Sequence, residues 1–117
     1  MYTEKDNKTV NVLGTEYSIK FVPEEELLEI NSDGTTDRSV KLIRVAVFTP
    51  QKDSVEDLAE YQRHVLRHEI THAFLYESGL SGCSCSVDSW ATNEEMIDWI
   101  ACQHNKLHAA FEKAGAL

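Results

Sequence analysis

His68-Glu69-Ile70-Thr71-His72 is the stretch that most limits what this 117-residue chain can become. Two imidazoles four residues apart share a direction only on an α-helix, where four residues turn about 400° and leave the rings about 40° apart in azimuth and about 6 Å apart along the axis. Both can then reach one cation. Glu69, rotated about 100° from His68, stands aside from that cation but can lean over a water beside it, which is the position of a general base. From this composition, about 0.02 matches to H-E-x-x-H are expected by chance, before any helical context is required.

The flanking residues agree with a helix. After Pro50 the apolar period becomes helical, and Leu58, Val65 and His72 fall on one line. Ser54-Val55-Glu56-Asp57 resembles a capping box with Asp in place of Glu, and Gly79 suits the position after the last turn, so a helix from Val55 to Ser78 is expected. The first half alternates instead. Thr9 to Leu13 and Glu16 to Val22 read as strands joined at a Gly14-Thr15 hairpin, and Pro23 ends the second. Glu24 to Glu29 fits a short helix or an irregular strand equally well, and Glu24 to Glu26 reads as a solvated face. Asn31-Ser32-Asp33-Gly34 is a turn cluster. Val40 to Thr49 is the most apolar run and the expected longest strand, buried on both faces.

Leu80 to Trp90, rich in Ser, Gly and Cys, reads as an irregular loop, and Thr92 or Asn93 then caps a second helix reaching about Lys113. Trp90 and Trp99 read as core or loop anchors. The expected fold class is α+β: one domain over residues 1–117, a small antiparallel sheet packed against the long helix and a C-terminal helix.

Eleven basic residues against 20 acidic ones leave a net charge of −9 with no basic cluster, so nothing supplies the counter-charge a nucleic acid needs. No run of 18 apolar residues exists and Met1 to Lys8 is too polar for a signal peptide, so no membrane partner and a cytoplasmic location are expected. In that setting Cys83, Cys85 and Cys102 read as free thiols. A Cys83-Ser84-Cys85 loop reaching a metal as an inhibitory thiolate, or holding a second ion, is the lesser reading.

Two histidines do not complete a catalytic zinc site, which takes three protein ligands. The second helix opens with Asn93-Glu94-Glu95-Met96-Ile97-Asp98, where Glu94 and Asp98 share a face. Glu94 can coordinate while Asp98 accepts the free N–H of a liganding histidine. Glu95 competes for the ligand role but points about 100° away.

His68-Glu69-x-x-His72 with Asn93-Glu94-x-x-x-Asp98 downstream resembles the thermolysin-type gluzincin pattern. Glu94 to Ala101 also resembles the E-x-x-A-N-x-F-A stretch of ImmA/IrrE-type metallopeptidases, with Ile97, Asp98 and Ile100 replacing Ala, Asn and Phe. The likeness covers Val65 to Ala101. It implies a minimal zincin of the kind found in bacteria and their phages: a zinc peptidase with Zn²⁺ on His68, His72 and Glu94, Glu69 activating water, Asp98 orienting a histidine, and a peptide or protein substrate on a sheet edge. Val40 to Thr49 is the edge expected.

Larger gluzincins add a His or Tyr that donates to the oxyanion. His104 and His108 lie about 15 and 21 Å beyond Glu94 along a straight helix, too far to serve. Tyr76, one turn past His72, is the candidate. The short chain and the missing oxyanion donor of the larger gluzincins leave a second reading open, a catalytically silent, zinc-stabilised binding or regulatory module on the same scaffold.

Overall fold

A computed structural model describes residues 1–30, 32–83 and 90–117. Four strands, β1 (Lys8–Val12), β2 (Thr15–Pro23), β3 (Gly34–Asp37) and β4 (Leu42–Val47), form one sheet in the order β1-β2-β4-β3. Val12 pairs with Thr15, so the hairpin turns at Leu13-Gly14 and not at Gly14-Thr15. Both turn residues have positive φ, 51° and 93°, the combination whose twist matches the flanking strands.

The sheet is mixed, which corrects the expectation of an antiparallel one. β2 and β4 run parallel, with Ile19 opposite Ile43 and Phe21 opposite Val45. Between them the chain makes a short helix, α1 (Glu25–Leu28), and β3, which pairs antiparallel with β4 and sets its direction. β3 reads Gly-Thr-Thr-Asp and so has no apolar alternation to announce it. Its presence places β4 inside the sheet. The Val40 to Thr49 region is therefore no edge, and at six residues β4 is shorter than the nine-residue β2; among the described strands the edges are β1 and β3.

The long helix α2 (Leu58–Glu77) lies on one face of the sheet. Val65 and Ala73 pack there with Val12, Tyr17, Ile19, Phe21, Ile43 and Val45, all buried. Val22, Leu27 and Ala46 form a smaller cluster on the other face. Gln62 is fully buried, its amide tying Tyr2 to the Ala46 carbonyl.

α2 begins later than expected because Asp57 caps it, its Oδ1 accepting from the Glu60 amide at 3.0 Å, while Ser54 closes a preceding turn. Gly79, with φ 83°, ends it. Part of the expected loop is ordered as a single turn, α3 (Leu80–Cys83), and a 3-10 turn over Trp90–Thr92. Asn31 of the expected turn cluster, the Cys83 side chain and Cys85 lie outside the described residues. The second long helix, α4 (Glu94–Lys113), starts at Asn93, whose Oδ1 accepts from the Met96 amide at 2.8 Å. Trp90 and Trp99 are each 55% exposed and anchor no core. On α4 the buried line is Ile97 and Ala101, and Trp99 sits about 200° around the helix from Ile97. Among the described residues no helix is long and apolar enough to cross a membrane.

Candidate metal centre

His64, His68 and His72 recur every four residues on α2, and Glu94, Asp98 and Cys102 recur every four on α4. The helices run antiparallel and bring the two lines face to face. At one end, His68 Nε2 is 2.8 Å from Glu94 Oε2 and His72 Nε2 is 3.1 Å from Glu94 Oε1. One donor atom from each of these three residues lies within 4.8 Å of the others, the grouping expected of the ligand set. Glu95 is exposed and belongs to no such group among the described residues, nor do His104 and His108.

Behind His68, Asp98 Oδ1 lies 3.1 Å from Nδ1, the position that fixes the ring with Nε2 turned to the shared point. Of the two motif histidines, the one whose contact with Asp98 the structure shows is His68. The His72 Nδ1 atom is buried with no hydrogen-bond partner among the described residues. Burial pulls the His68 pKa down, but the hydrogen bond to Asp98 and the negative Glu69 and Glu94 outweigh burial and raise it. Two imidazoles and a carboxylate, with a second carboxylate behind one ring, is a donor set that fits zinc.

Glu69 is buried against the sheet edge. Thr36 Oγ1 on β3 donates to Glu69 Oε2 at 2.6 Å and sits 3.0 Å from the Glu69 carbonyl. Burial raises the Glu69 pKa despite that hydrogen bond and the nearby histidines. Gly34 makes this approach possible: a Cβ there would lie 2.8 Å from Val65 Cγ1 and 3.0 Å from Glu69 Cγ. A side chain at 34 would force Val65 or Glu69 on α2 to give way.

Tyr76 stacks on His72 with ring centres 5.9 Å apart, and the Arg38 guanidinium lies 5.3 Å from its ring. Burial raises its pKa, which keeps the hydroxyl a donor. A cleft of about 520 Å³ opens beside it along β3, lined by Thr36, Arg38 and Ser81 among others. A second of about 270 Å³ reaches His64, His68, Glu69 and Asp98.

His64, Thr36, Gly34 and Cys102 are site neighbours the motif does not name. His64 was legible as the residue one turn before His68 on the same line. Thr36 was not, because its partner is 33 residues away. Comparison with family models, characterised proteins and solved structures yields no match.

Proposed function

We propose that the chain is a zinc-dependent peptidase with a minimal zincin-like fold. The observation that carries this reading is the convergence of His68 Nε2, His72 Nε2 and the Glu94 carboxylate beside a buried Glu69. His68, His72 and Glu94 hold the ion, which when bound acidifies water and polarises a carbonyl. An extended peptide pairs with the outer edge of β3, which no other described strand covers. Glu69 takes a proton from the attacking water and returns it to the leaving amine. Thr36 holds the carboxylate that does so, Asp98 holds His68, and Tyr76 donates to the developing oxyanion.

The test pairs zinc content with hydrolysis of a peptide library. Glu69→Gln keeps stoichiometric zinc and loses about 10²- to 10⁴-fold in turnover; His72→Ala loses both. Zinc unaffected by His72→Ala rejects the ligand set. Stoichiometric zinc with no cleavage of any library member selects the silent module.

A further inference from the structure

One turn beyond the first group, the two helices bring together a second set of donors. His64 Nε2 is 2.7 Å from Asp98 Oδ1, and Cys102 Sγ is 3.8 Å from His64 Nδ1. One donor atom from each lies within 4.8 Å of the other two. We propose that His64, Asp98 and Cys102 form a second divalent-cation site, for a thiophilic ion such as Zn²⁺, Co²⁺ or Cd²⁺, about 6 Å along the helix pair from the first.

Four features of this corner support it. The donor set joins a thiol, an imidazole and a carboxylate, the combination that favours borderline and soft cations over Mg²⁺ or Ca²⁺. A tetrahedral ion with a metal–sulfur bond of about 2.3 Å and a metal–nitrogen bond of about 2.0 Å sets a sulfur–nitrogen edge of about 3.5 Å. Asp98 faces His64 Nε2, so an ion held by both sits on that nitrogen, and Cys102 Sγ, which lies 3.8 Å from Nδ1 on the other side of the ring, reaches such an edge by turning, as an exposed free thiol can. The His64 ring is braced by Tyr61, which stacks on it at 6.3 Å with planes 9° apart. The cleft of about 270 Å³ that reaches His64 and Asp98 leaves a solvent-facing side for an open coordination position.

The two sites share one carboxylate. Asp98 uses Oδ1 for both His64 and His68. A carboxylate has a second oxygen, so Asp98 can turn Oδ2 to a cation on His64 Nε2 while Oδ1 keeps His68. The second site can therefore fill without dismantling the first.

The experiment is a Co²⁺ titration of the metal-free full chain followed by absorption, in a Cys83→Ser/Cys85→Ser background so that Cys102 is the sole thiol. Two equivalents are expected, with sulfur-to-cobalt charge transfer growing in with one of them. Cys102→Ser, a change at an exposed position, should lose that band and that equivalent while keeping the other; His64→Ala should do the same. His72→Ala should remove the first equivalent and leave the thiolate band, which separates failure of this site from failure of the peptidase reading. A titration ending at one equivalent with no thiolate absorption, or a band unchanged by His64→Ala, overturns the proposal.

Discussion

The two faces of α2 are held by opposite chemistry. Toward the sheet, Val65 and Ala73 meet Tyr17, Ile43 and Val45 in an apolar contact whose worth follows the area removed from water and is indifferent to ions. Toward α4, His64, His68 and His72 meet Glu94, Asp98 and Cys102, polar groups that cost free energy to bury unless they are paired. The dry face fixes where the helix lies; the wet face presents donors whose fit depends on what they bind. They meet at Glu69, which is packed over Gly34 and yet electrostatically part of the histidine cluster.

Breaking the dry face should give the largest effect. Ile43 is fully buried, and Ile43→Ala should lower unfolding free energy by about 2 to 5 kcal/mol, read from denaturant midpoints. The loss should be equal with chelator and with zinc; a loss cancelled by zinc would mean the faces are not independent. Gly34→Ala strikes where they meet. Its Cβ would overlap Val65 Cγ1 and crowd the Arg44 carbonyl at 3.2 Å, so a cost of about 1 to 3 kcal/mol is expected in thermal unfolding. A neutral result would show that α2 can shift freely on β3.

How much of this was legible in the chain divides along the same line. His68, His72 and Glu94 were readable because helical spacing is rigid: once both helices exist, i and i+4 decide which side chains share a face, and Asp98 follows from Glu94. The C-terminal ends of both helices were readable from Gly79 and Gly115, which have positive φ. The start of α2 was not, because Ser54 and Asp57 are both able caps and only the turn Ser54 makes with Gln51 decides between them. β3 was invisible for a different reason. Its stability comes from its pairing with β4 and from the seating of Gly34 under α2, both long-range facts, and Thr35, Thr36 and Asp37 carry no apolar period. Missing β3 also made β4 look like an edge and the sheet look antiparallel.

The wet face can be weakened without touching the core. Asp98→Asn leaves an amide to contact His68 but removes the charge, and zinc affinity by calorimetry should fall about 10- to 100-fold. A change below twofold would show that His68 is oriented by its packing alone. The unfolding midpoint of the metal-free protein should move less than in Gly34→Ala, since Asp98 is half-exposed.

The smallest effect is expected at Glu69 in the metal-free protein, and there its sign is the informative part. Burial raises the Glu69 pKa above its ordinary value, so the folded state prefers the protonated acid. A carboxyl raised on folding favours the fold fully below its ordinary pKa and loses that contribution as pH climbs from the ordinary value through the raised one. The neutral amide introduced by Glu69→Gln mimics the protonated acid and keeps an acceptor for Thr36. The variant should therefore unfold with the wild type near pH 4 and become the more stable of the two as pH rises, by on the order of 1 kcal/mol. Protonated His68 offsets the Glu69 charge, so the gap should be widest once that ring is neutral. A gap that closes with rising pH, or a less stable variant at pH 8, would mean the carboxylate is better served by Thr36 and the two imidazoles than its burial allows.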